Sequence, residues 1–117
     1  VDKNIRFDVN FGAGAKYSAG EENLFLKSCY DHKLNIYYVP RTICFVNFDT
    51  STWFKGFDSV YFETKGAFSV AMFGNFYFIY ILQFLIRKHK LYRQDISFWN
   101  ALRYSLKGKN DYLREVK

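Results

Sequence analysis

Residues 66–86 run for 21 positions without a charged side chain, between Lys65 and the cluster Arg87-Lys88-His89-Lys90. As a single helix this stretch rises about 30 Å, enough to cross a bilayer core. Ser69, Asn75 and Gln83 dilute it. Its aromatic side chains, Phe68, Phe73, Phe76, Tyr77, Phe78, Tyr80 and Phe84, suit an interfacial or packed helix better than a lipid-spanning one. Any fold of this chain must place that stretch against protein, in a membrane surface, or across a membrane, and the sequence leaves all three open.

The rest of the composition narrows the class. Half of the 117 residues are hydrophobic and 22% are aromatic, which excludes disorder and demands a buried or membrane-facing surface. Seventeen Lys and Arg against 11 Asp and Glu give a formal charge of +6, favouring anionic partners such as phospholipid head groups, nucleotide diphosphates or nucleic acid. Cys29 and Cys44 have no Cys/His cluster around them in sequence, so the expectation is two buried free thiols rather than a zinc site. The polar, mixed-charge start does not read as a signal peptide. A chain of this length is one domain at most, and its opening at Val1 reads as a fragment or a processed piece.

Upstream lies a loop, Phe11-Gly12-Ala13-Gly14-Ala15-Lys16-Tyr17-Ser18-Ala19-Gly20, that ends in Glu21-Glu22-Asn23. Its glycines reach backbone conformations other residues avoid, and the two carboxylates open an apolar-patterned segment from Glu21 to about Lys33 that reads as a helix. Acids in a first helical turn complement its exposed N–H groups, so the pair is a cap on one reading. On the other, a loop that closes over a ligand delivers a carboxylate able to take a proton from a hydroxyl. Residues 5–9, 35–39 and 42–46 alternate or are rich in Ile, Tyr, Val and Phe, and read as extended segments interrupted by Pro40. Trp53 closes a polar loop, either as a core plug or as a platform for a sugar face. Phe98, Leu102 and Leu106, flanked by Arg103 and Lys107, give an amphipathic helix over residues 96–107 that Gly108 ends, followed by a short charged tail.

Taken together, Phe7-Asp8, the glycine loop, Gly20-Glu21-Glu22-Asn23, Phe25-Leu26 and Ile36-Tyr37-Tyr38-Val39-Pro40 resemble the acceptor-side half of inverting family 2 glycosyltransferases, of the bacterial surface polysaccharide type. Ser51-Thr52-Trp53-Phe54-Lys55-Gly56 and the segment after it extend the likeness to about Tyr112. The resemblance implies an α/β fold, a partial GT-A-like arrangement of acceptor-side strands and a helix over residues 1–56, followed by a helical, membrane-associating region over residues 57–117. It implies that Glu22, or its neighbour Glu21, deprotonates an acceptor hydroxyl, with Gly12, Gly14, Lys16, Tyr17, Gly20 and Trp53 contacting the acceptor. Glu stands where the family usually has Asp, which leaves the choice between Glu21 and Glu22 open.

The family's metal-binding Asp-x-Asp motif does not occur here. The implied divalent cofactor, Mn or Mg, and the nucleotide-sugar donor therefore belong to a donor half outside this chain, without which the piece is expected to be inactive and prone to self-association. The implied acceptor is a saccharide or a lipid-linked one, and the implied location is the cytoplasmic face of a membrane with an anionic surface, peripheral or integral. A single crossing by residues 66–86 would then set the basic cluster and the catalytic part on opposite sides, a conflict that a surface-lying or packed helix avoids. The competing reading is a non-catalytic basic, aromatic membrane-surface or interaction module. Nucleic-acid binding ranks last, since no recognition motif is present.

Overall fold

A computed structural model of the chain describes residues 5–45 and 56–116. It is helical, with 61% of the described residues in helices, and no strand or sheet occurs among them. The elements are α1 (Glu21–Asp31), α2 (Ser59–Phe73), α3 (Tyr77–Arg87), a single turn α4 (His89–Tyr92) and α5 (Phe98–Glu115), with a 3-10 turn over Gly74–Phe76. Local chemistry sets the starts. The Asp58 carboxylate accepts from the Tyr61 amide at 2.9 Å to cap α2, and the Ser97 hydroxyl accepts from the Asn100 amide at 3.2 Å to cap α5.

The α/β expectation is overturned. Residues 35–45 are irregular, and Tyr38, Ile43 and Phe45 stand about nine-tenths exposed. A strand is stable only when its N–H and C=O groups meet those of a neighbour and one face is covered. Among the described residues these segments have neither, so their Ile, Tyr and Val content alone does not make a sheet. Residues 5–9 likewise form no strand; a lone bridge between Phe11 and Tyr17 is the nearest approach to pairing.

The apolar run is also not one straight helix. Gly74 adopts φ 57° and ψ −121°, which breaks the helical path, and the chain doubles back. On a continuous helix Lys65 and Phe84 would lie about 28 Å apart. The Lys65 ammonium instead sits 5.2 Å from the Phe84 ring centroid, and the rings of Phe68 and Tyr80 are 6.0 Å apart. Residues 59–87 are apolar and long enough to cross a membrane by composition, yet they form a helical hairpin.

α5 runs alongside α2 in the same direction: Phe57 and Asp58 border a groove with Ile96 and Asn100, while farther along Ala71 shares a cavity wall with Tyr112. The two helices meet backbone to backbone. A Cβ on Gly66 would stand 1.7 Å from the Ser105 carbonyl oxygen, and one on Gly108 would stand 1.9 Å from that of Glu63. This explains why Gly108 does not end α5 as the sequence pattern suggests. It lies inside an 18-residue helix because only a hydrogen fits between the two backbones. The buried hydroxyls in this seam stay satisfied within their own helices, Ser69 donating to the Gly66 carbonyl at 2.6 Å and Ser105 to the Ala101 carbonyl at 2.9 Å.

On one side of the seam Phe62, Ile81, Leu85, Tyr92 and Ala101 form the main core, where the Tyr92 hydroxyl donates to the Leu85 carbonyl at 2.7 Å and ties α4 to α3. Cys29 is buried on α1, whereas Cys44, expected buried, is exposed in the unpaired stretch. At an exposed helical position Gly→Ala stabilises by about 1 kcal/mol, but a side chain forced into a closed seam costs about 1–3 kcal/mol or more. The clash wins here: Gly66→Ala and Gly108→Ala are each expected to lower the midpoint of urea unfolding, and an unchanged or raised midpoint would show that the helices do not touch at these positions.

Candidate functional site

The glycine loop, expected to be a loop that closes over a ligand, folds as a close-packed collar. The Asp8 carboxylate accepts from the Asn10 amide at 2.9 Å, the Gly12 amide donates to the Tyr17 carbonyl at 2.8 Å, and the Tyr17 amide donates to the Asn10 carbonyl at 3.0 Å. Phe11 and Tyr17, both buried, pack with Ala67 into a second cluster flanked by Leu24, Phe68, Ala71 and Tyr112. The Tyr112 hydroxyl, on α5, donates to Asp8 at 3.2 Å. Burial and the neighbouring Asp8 carboxylate push its pKa up to about 12, so this anchor stays protonated through the neutral range.

Two glycines are required here for different reasons. Gly20 has φ 112°, and a Cβ there would meet the Phe68 ring at 2.6 Å, so it lets the loop lie flat on α2 before α1 begins. Gly12 has φ 121°, and its open Cα side is covered by the carboxyl end of Glu21, 3.4 Å from where a Cβ would stand. Gly14 has a positive φ with open space around it. The loop and the acid pair that follows it are thus in contact. Glu21 and Glu22 border one cavity of about 410 Å³ with Ala13, Ser18 and Ala19; Glu21 is half-buried and Glu22 is exposed.

The remaining candidates fall elsewhere. Lys16 pairs with Glu115 near the end of α5, and this hydrogen bond, the largest cause, raises its pKa. Tyr17 points inward. It is 2% exposed, its hydroxyl makes no hydrogen bond among the described residues, and burial raises its pKa. Neither lines the cavity of the two carboxylates. Trp53 lies outside the described residues. No group of three or more His, Cys, Asp or Glu side chains is placed to hold a metal ion among the described residues, so these residues offer no ligand set for the divalent cofactor implied by the resemblance.

A feature that sequence reading passed over adjoins this cavity. Ser18 and Ala19 also form a wall of a second cavity, about 320 Å³, whose other walls are Phe57, Tyr61, Thr64, Lys65, Lys88 and Leu91. The shared wall is fixed to α2 by the Ser18 amide, which donates to the Thr64 hydroxyl at 3.4 Å. No sequence spacing points to this pairing, because Lys65 and Lys88 meet only when the hairpin folds.

No protein-family model, curated protein or solved structure matches this chain.

An unsatisfied buried hydroxyl costs about 1–3 kcal/mol. Tyr17→Phe is therefore expected to raise the thermal midpoint while leaving the loop in place, and a lowered midpoint would reveal that the hydroxyl has a partner.

Proposed function

We propose that this chain is the acceptor-side piece of an inverting family 2 glycosyltransferase that transfers a sugar from a nucleotide-sugar donor to a saccharide or lipid-linked acceptor at the cytoplasmic face of a membrane. The observation that carries the reading is the cavity bordered at once by the glycine loop and by both members of the Glu21-Glu22 pair. In this reaction one carboxylate, Glu22 in this reading, takes the acceptor hydroxyl proton. The freed oxygen bonds to the anomeric carbon on the face opposite the departing group, the bond from that carbon to the diphosphate oxygen breaks, and its electron pair leaves with the nucleoside diphosphate. Glu21, held over Gly12, orients its neighbour or the acceptor.

Donor binding falls in this reading to residues beyond those that carry the resemblance. Gln in place of Glu22 in the full-length protein keeps the size and removes the base. Turnover is expected to fall about 10²–10⁴-fold with donor binding unchanged. Retained turnover would move the base elsewhere.

The membrane part of the proposal is supported by the hairpin turn, where Phe73, Phe76, Phe78 and Ile79 are all exposed. An apolar edge of this kind sinks roughly 5–10 Å into the interfacial region of a bilayer. Phe76→Ser together with Ile79→Ser is expected to reduce co-sedimentation with anionic vesicles several-fold without loss of helicity. Undiminished sedimentation would remove the turn as the contact.

A further inference from the structure

Lys65 and Lys88 come from opposite arms of the hairpin, yet they line the same cavity. Neither is paired with a carboxylate among the described residues. The Lys65 ammonium lies near two aromatic rings, 5.4 Å from the Tyr61 centroid and 5.2 Å from that of Phe84. Those ring faces give an ammonium modest support, far less than a counter-ion would. Burial first, and then the Lys88 charge, lower the Lys65 pKa. Two like charges lining one partly enclosed space, with Ser18 and Thr64 in the same wall, make a site whose own electrostatics are relieved by an anion.

We propose that this cavity binds the phosphate or diphosphate group of the lipid-linked acceptor, with Lys65 and Lys88 as the cationic contacts and the neighbouring Ser18 and Thr64 hydroxyls as further polar contacts. The assignment to an acceptor rests on the proposed glycosyltransferase reading; the anion site itself does not. Three features point to the lipid-borne source. The cavity shares the Ser18–Ala19 wall with the cavity of Glu21 and Glu22, so a diphosphate here sets a sugar attached to it beside the carboxylates. Phe57, Tyr61 and Leu91 supply apolar wall for the first part of a hydrocarbon chain. Lys65 is about 12 Å along α2 from the exposed Phe73, close to head-group level when the hairpin turn is sunk in the interface. Lys16, the loop lysine that the resemblance offers as an acceptor contact, is already engaged by Glu115.

The test uses the full-length protein and two probes: farnesyl diphosphate carried in phosphatidylcholine vesicles, and inorganic pyrophosphate in solution. Lys65→Met and Lys88→Gln are each expected to weaken binding of the vesicle-borne probe about tenfold or more, the loss associated with one charge-assisted contact. Lys65→Met is also expected to hold or raise the thermal midpoint, since it removes a half-buried charge that has no carboxylate beside it. That combination separates ligand binding from a structural role. Lys90→Gln, an exposed lysine outside the cavity, is expected to leave binding unchanged.

Equal weakening by Lys90→Gln, or no weakening by either cavity variant, would overturn the site. Pyrophosphate binding as tightly as the vesicle-borne probe would overturn the lipid source and assign the cavity to a soluble diphosphate such as the leaving nucleotide. Loss of turnover in Glu22→Gln with undiminished probe binding in Lys65→Met would leave the glycosyltransferase reading standing and remove this inference. Retained turnover in Glu22→Gln with probe binding dependent on both lysines would keep the anion site and remove the catalytic reading.

Discussion

The backbone-to-backbone contact between α2 and α5 is the constraint on which the rest of the structure depends. With only hydrogens at Gly66 and Gly108, two helices rich in bulky aromatics approach as closely as their main chains permit. Ser105 and Ala101, small and buried on α5, keep the same seam narrow. Ordinary helix pairs are held 8–10 Å apart by their side chains, and their interlocking ridges leave some freedom of register. Here a shift along the axis would drive a side chain into a carbonyl, so the register is fixed. That fixed register carries Phe62 into the main core and sets Tyr112 above the glycine loop.

From that seam the site follows. Tyr112 reaches Asp8 and Glu115 reaches Lys16, so α5 holds the collar from two points while α2 holds it from beneath through Ala67, Phe68 and Thr64. The loop contributes Gly20, where the Phe68 ring of α2 comes too near for a side chain, and Gly12 and Gly14, where the backbone takes a positive φ. Its placement is thus set by the helices, and Gly20, which looks in sequence like a source of freedom, acts in the fold as a place of close approach. This changes the chemical expectation: the carboxylate pair stands beside a preset wall rather than beneath a closing flap.

Some of this was legible in the sequence. The start of α1 at Glu21, its buried Cys29 and the contact between the glycine loop and the acid pair follow from local rules about small residues and helix starts. The strands expected over residues 35–39 and 42–46 did not follow, because composition reports what a strand tolerates and not whether another strand lies beside it. The hairpin and the length of α5 were hidden for a related reason. A glycine can end a helix, break it or admit a neighbour, and the choice is made by tertiary contacts that are silent in a linear pattern. Gly74 breaks one, Gly108 admits another, and their local sequences do not tell them apart. The same blindness concealed the meeting of Lys65 and Lys88, which are 23 positions apart along the chain.

The reversal at Gly74 has a topological consequence. Lys65 and Arg87 bracket the uncharged stretch in sequence, but in space both stand at the open end of a closed pair of arms, away from its apolar bend. A stretch arranged in this way has one polar end and one apolar end, so in the proposed membrane-surface reading both flanking segments stay on the same side of the bilayer. Under that proposal the opposition between cationic cluster and acid-bearing loop that a lone crossing would impose disappears, and the hairpin enters one leaflet like a peg without piercing the other.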